Sequence, residues 1–211
     1  MSTSIRPSRI AEILSLIAFS VLTVLAISKK QISVFYIIYL LWIDELLKTI
    51  FDFLKGRFKP QSILNLSNYK RLVRGRFFML FIYFVFIIVF FGFMLDWKSQ
   101  DIIIGNFEIL MFKNVWFNFS VFSFLAREIA EYFYEQSPHP SAHHNLSKGI
   151  VTLHLSIIFG IFIWAFVTGR FFEIDFDFGN YSSALAILPF LIIKFVFEIM
   201  EIKGRHDQNR I

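Results

Sequence analysis

The stretch FYIIYLLWIDELLKTIFDFLK, residues 35 to 55, decides the fold class, because it is long and apolar enough to cross a bilayer yet carries Asp44, Glu45, Lys48 and Asp52. About 20 predominantly apolar residues span a hydrocarbon core. On an isolated helix a central Asp, Glu or Lys costs roughly 2.5 to 3.5 kcal/mol, and each Leu, Ile, Phe or Val returns about 0.3 to 0.6. The dozen or so apolar residues here therefore offset the charges only to near break-even. At 100° per residue the four groups fall at about 0°, 40°, 80° and 100°, within one wedge of the helix. Such a wedge faces other helices or water, not lipid.

The rest of the chain extends this pattern. Of 211 residues 56% are hydrophobic, 30 are Phe and mean hydropathy is +0.62, against about 45 to 50% apolar residues in soluble domains. These values predict an all-α polytopic membrane protein forming a single domain over residues 1–211. Six apolar segments supply its helices: 10–27, 32–54, 77–95, 107–134, 146–168 and 182–202. No internal repeat accompanies them, so inverted-repeat transporter folds gain no support.

Basic residues set the orientation. With the N-terminus in the cytoplasm, the inner segments collect Arg6, Arg9, the seven basic residues from Lys55 to Arg76, Lys148, Lys203, Arg205 and Arg210. The outer ones hold only Lys29, Lys30, Lys98 and Arg170. Both termini are thus expected inside, in the cell's inner (plasma) membrane. A rival reading takes the first segment as a cleaved signal peptide, with Ala26-Ile27-Ser28 as its small-residue site; its apolar core is longer than usual and contains Glu12.

Counterparts for the wedge lie in later segments. Lys194, Glu198 and Glu201 form one stripe in the sixth, with Lys194 and Glu198 at the i, i+4 spacing that lets opposite charges meet. The fourth carries Lys113, Asn114, Asn118, Arg127, Glu128 and Glu131, and the fifth adds His154. Together Asp44, Glu45, Lys48, Asp52, Asn118, Arg127, Glu128, His154, Lys194 and Glu198 make an expected intramembrane polar network toward the inner leaflet. The third segment has no ionisable residue apart from Tyr83 and is assigned to the lipid-facing periphery. The 56–76 connection, with Lys70, Arg71, Arg74 and Arg76, reads as a basic loop facing lipid, whose partners would be the bilayer and anionic lipids.

Other chemistry finds little footing. There is no Cys, which removes disulfides, thiolate catalysis and Cys-based metal sites. His139, His143 and His144 in SPHPSAHHNL match no standard zinc signature, and no second histidine at matching depth accompanies His154 for a bis-His haem. FFEIDFDFGNY, residues 171 to 181, alternates apolar and acidic residues and reads as a short interfacial hairpin, with external cation binding as a weaker alternative. GxSxG, Walker A, GxGxxG and nucleic-acid motifs are absent from the sequence. No catalytic residue, metal or cofactor is assigned and no nucleic-acid partner is expected.

Trp42-Ile43-Asp44-Glu45 followed by Asp52 and Lys55 resembles the second-helix pattern of an uncharacterised prokaryotic integral membrane family, domain of unknown function 6498, which is expected to show an aromatic residue, an acid and Asn, then Asn and Lys. The run from Leu153 to Gly160, LHLSIIFG, and Lys194 with Glu198 are similar too. Where the family's third helix would carry histidines this chain has Ile82 and Phe90, so the resemblance implies no histidine-dependent metal or haem role. It implies the architecture and singles out Asp44, Asp52, His154 and Lys194 without assigning an activity. The primary reading is a non-enzymatic membrane protein held together by its charges; a small-solute, ion or proton transporter or channel is the alternative, and an enzyme ranks third.

Overall fold

A computed structural model describes residues 7–28, 33–63, 65–94, 100–134, 148–167, 192–196 and 199–200, and among these residues the regular structure is helical throughout. The elements are α1 (Pro7–Ser28), α2 (Val34–Phe58), a 3₁₀ turn (Pro60–Ser62), α3 (Leu66–Phe86) continued by a π-helix (Ile87–Met94), α4 (Gln100–Leu110), α5 (Val115–Tyr134) and α6 (Lys148–Val167). Residues 192–196 and 199–200 are also helical.

α2 is the axis of the bundle. Every residue from Phe35 to Glu45 is buried, on all faces of the helix, because α3, α5 and α6 pack around it while α1 lies against α5. Aromatic rings fill the centre: Tyr39 stacks on Trp42 and Phe117 with centroids 5.7 and 5.4 Å apart. The Trp42 indole donates to the Leu80 carbonyl of α3 at 2.8 Å, so this bulky side chain is satisfied at a helix contact instead of at an interface with water.

Large apolar side chains are bared on several helices. Leu14, Ile17 and Val21 on α1, Phe78, Phe81 and Val85 on α3, and Phe119, Phe122 and Phe133 on α5 are exposed, while Asp44, Glu45, Arg76, Arg127, Glu128, Glu131 and Lys194 are buried. Exposed apolar surface on this scale marks contact with a partner or with lipid. By length and composition, two helical stretches among the described residues could cross a membrane, Leu66–Met94 (α3 with its π-helix) and Gln100–Tyr134 (α4 and α5 together).

Two segment boundaries differ from the sequence reading. The expected basic loop at 56–76 is mostly helix: α2 runs on to Phe58, and α3 begins at Leu66, eleven residues before the apolar run at Phe77. Asn65 starts α3 by accepting from the Asn68 amide at 3.1 Å, and the long Lys and Arg side chains that follow are good helix formers. The continuous segment expected at 107–134 is split. α4 ends in a Schellman turn, with the Lys113 amide on the Glu108 carbonyl and the Phe112 amide on that of Ile109. Phe112 takes the left-handed conformation (φ 57°) that glycine ordinarily fills, at a cost of about 1 to 3 kcal/mol. Its ring packs 5.7 Å from that of Phe117. Asn114 then caps α5 through the Phe117 amide. The first and fifth segments match α1 and α6 to within a few residues.

The other end of α2 is tied by one amide. Ser33 caps α2 through the Tyr36 amide and donates to Asn106 Oδ1 at 2.8 Å. The Asn106 amide in turn reaches the Phe91 and Gly92 carbonyls of the π-helix at 3.4 and 3.3 Å. The i→i+5 winding redirects backbone carbonyls, and the buried Asn106 supplies donors that neighbouring turns do not.

Candidate functional site: a buried charged cluster

The charged wedge of α2 meets its counterparts at Asp44. Its Oδ1 accepts from Arg127 Nη2 of α5 at 2.6 Å, its Oδ2 accepts from Lys194 Nζ, and Lys48 Nζ lies 3.7 Å away, one turn along α2. Arg127 extends the cluster along α5, donating from Nη2 and Nε to Glu128 Oε1 at 2.8 and 3.1 Å, with Glu131 Oε1 3.7 Å from Nε. Asp44, Arg127, Glu128, Glu131 and Lys194 are each 5% exposed or less, so pairing, not hydration, compensates them. The Phe124 ring lies within 6 Å of both Arg127 and Lys194, at 5.5 and 5.7 Å, a range in which its π face attracts cations.

The local sequence explains the meeting. Asp44 and Lys48 occupy one face of α2, and Arg127 and Glu131 one face of α5, because residues four apart are neighbours on a helix. Phe124 is one turn before Glu128 on that same side of α5. Three acids, Asp44, Glu128 and Glu131, thus stand with three cations, Lys48, Arg127 and Lys194.

Glu45 adjoins this set without sharing its contacts to Asp44. It is buried and faces α6, where Gly149 admits its carboxylate: a Cβ at Gly149 would overlap Oε2 and stand 2.6 Å from Cδ.

Other expected members lie elsewhere. Asp52 is two turns along α2 and pairs with Arg76 of α3, Nη1 to Oδ2 at 2.6 Å, with the Tyr69 hydroxyl donating to Oδ1 at 3.1 Å. Arg76 is therefore buried and paired instead of facing lipid, whereas Lys70, Arg71 and Arg74 are exposed. Asn118 serves the helix break, its amide donating to the Phe112 carbonyl at 2.6 Å. His154 is exposed on α6 and its Nδ1 lies 3.1 Å from the Tyr83 hydroxyl. Its partner thus comes from the segment assigned to the periphery, which does bury one face on α2 and bare the other. Glu198, Glu201, His139, His143, His144 and the acidic stretch 171–181 lie outside the described residues. Among the described residues, no group of three or more His, Asp or Glu side chains is arranged to hold a metal.

Residues 1–210 match a family model described as a family of unknown function (DUF6498). The chain belongs to this family. Neither a curated protein nor a solved structure matches it. Family membership supplies no chemistry, so the reading of this DUF6498 protein rests on the cluster and its surroundings.

Proposed function

We propose that this DUF6498 protein is a non-enzymatic multi-pass membrane protein of six helices, both termini cytoplasmic, whose intramembrane charges hold the bundle together. The observation that carries this reading is a buried cluster of paired acids and cations among helices that expose apolar side chains. Charges at membrane depth face the bundle interior and pair there. Asp44 is the junction, because its two oxygens engage cations from two different elements. A direct clasp of this kind fixes which faces of α2 and α5 meet, in a setting where apolar contact alone discriminates poorly between packings.

Glu45 favours a second reading, a small-solute, ion or proton transporter or channel. It is a further buried carboxyl next in sequence to Asp44, and buried carboxyls in membranes mark proton and ion paths.

Two measurements test these readings. Reporters inserted in the turn at Pro60–Ser62 or fused after Ile211 will read cytoplasmic, and one inserted within 173–179 will read external; an external signal from the turn overturns the orientation. Melting in detergent and flux in proteoliposomes, compared for wild type, Lys194→Leu and Asp44→Asn, separate structure from transport. The structural reading expects sharply lowered melting and no flux in any sample. Near-normal melting with altered proton or ion flux would establish the transporter instead.

A further inference from the structure

Beside the Asp52–Arg76 contact, α2 and α3 together line a cleft of about 360 Å³. Its walls combine two chemistries. Arg57, Lys70 and Arg74 supply positive charge, and Phe53, Val73 and Phe77 supply apolar surface. All three basic side chains are exposed, and among the described residues none of them forms a salt bridge with a carboxylate, in contrast to Arg76 one turn beyond Val73. The floor is a close helix contact, since a Cβ on Gly56 would stand 3.1 Å from the Tyr69 ring. Tyr69 is held there by its hydroxyl's bonds to the Asp52 carbonyl and carboxylate at 3.0 and 3.1 Å. Phe53 and Phe77 meet edge to face with centroids 6.2 Å apart, on the side leading to the apolar exterior of α3.

We infer that this cleft binds one anionic glycerophospholipid. The phosphate sits among Arg57, Lys70 and Arg74, and an acyl chain leaves past Phe53 and Phe77 along α3. Charge complementarity selects the anion, because three cationic residues line one cleft and a phosphate accepts several charge-assisted hydrogen bonds. The apolar wall selects a lipid over a free phosphate, which has nothing to place against two phenyl rings and a valine. The register of α3 supports a discrete site: Lys70 and Arg74 are four residues apart and share a face, while Arg71 points elsewhere and donates to Asn68 Oδ1 at 2.8 Å. The inference rests on the membrane reading above for the lipid's access to the cleft.

Native mass spectrometry of the full chain in detergent, titrated with dioleoylphosphatidylglycerol or dioleoylphosphatidylcholine, tests it. Wild type will retain one phosphatidylglycerol in preference to phosphatidylcholine. Arg74→Gln will weaken retention about tenfold, the loss of roughly one charge-assisted contact, and Arg71→Gln, which removes the same charge from the same helical turn, will leave it unchanged. Both positions are exposed, so equal melting temperatures will certify folding. Equal weakening by the two variants would reduce the effect to general surface attraction and overturn the site. Equal retention of phosphatidylcholine would overturn the headgroup selection, and displacement by millimolar glycerol 3-phosphate would make the cleft a soluble-anion site. Failure of the membrane reading is separately visible, as release of the protein from membranes by alkaline carbonate without detergent.

Discussion

Arg127→Leu will lower the stability of the detergent-solubilised protein by about 3 to 5 kcal/mol, the usual consequence of removing one partner from a buried ionic set. For a chain of this length that corresponds to roughly 6 to 20 °C in melting temperature. The effect is large because one guanidinium bonds Asp44 and Glu128 and approaches Glu131. Asp44 would keep Lys194 and Lys48, but Glu128 and Glu131 would lose Arg127 in a site that water scarcely reaches. Arg127→Lys will recover only part of the loss, since a single ammonium cannot reproduce the planar fork. Adding Glu128→Gln to Arg127→Leu will recover stability, with a coupling of about 0.5 to 3 kcal/mol between the two sites. A melting temperature for Arg127→Leu within about 2 °C of wild type would mean that the cluster is hydrated, and the structural reading would fall.

Gly149→Ala will destabilise by about 1 to 3 kcal/mol, the range for overpacking a filled interior. Two effects oppose each other here. Alanine is favoured over glycine by about 0.5 to 1 kcal/mol in a helix interior, an upper bound for Gly149 as the second residue of α6, so propensity alone favours the substitution at most modestly. Against that, the new methyl would occupy the space of the Glu45 carboxylate, and this buried side chain would have to move. The steric term wins unless Glu45 has somewhere to go. On a Glu45→Ala background the obstacle is gone, so Gly149→Ala becomes neutral or stabilising. Measuring the four proteins of this cycle by thermal unfolding decides the matter, and a stabilising Gly149→Ala in the wild-type chain would show that the Glu45 carboxylate moves aside at little cost.

What the sequence conveys about this protein depends on how local the signal is. The helical class was legible from segment length and apolarity, and Asp44, Lys48, Arg127 and Lys194, which meet in the structure, stood out in sequence as charges amid apolar runs that need partners. Glu131 was visible on its segment but was left out of the expected network, although its i, i+4 spacing from Arg127 was the available signal. Arg76 was harder, because counting basic residues between apolar runs treats them alike and says nothing about which one reaches a carboxylate on the preceding helix. The break at 111–114 was hidden for a different reason: only Lys113 and Asn114 interrupt the apolar run, and a Phe occupies the left-handed position where glycine would have announced a helix end. Asn114 and Asn118 were the visible trace, but an asparagine amid apolar residues reads equally as a network member or as a cap. His154 was placed by segment, while its contact with Tyr83 required knowing the neighbour.

The separation in sequence between Asp44 and its partners has a consequence in time. Arg127 lies 83 residues later and Lys194 150 residues later. At synthesis rates of about 5 to 20 residues per second, the carboxylate precedes its first cation on α5 by roughly 4 to 17 s and the second by roughly 8 to 30 s. During that interval α2, the helix that becomes the centre of the bundle, has only Lys48 from its own sequence to answer Asp44 within one turn. The nascent chain must therefore keep its future axis in a provisional setting until the later helices arrive. Slowing elongation between residues 60 and 127 prolongs that interval, so the time Asp44 waits for its partners depends on where along the message the ribosome pauses.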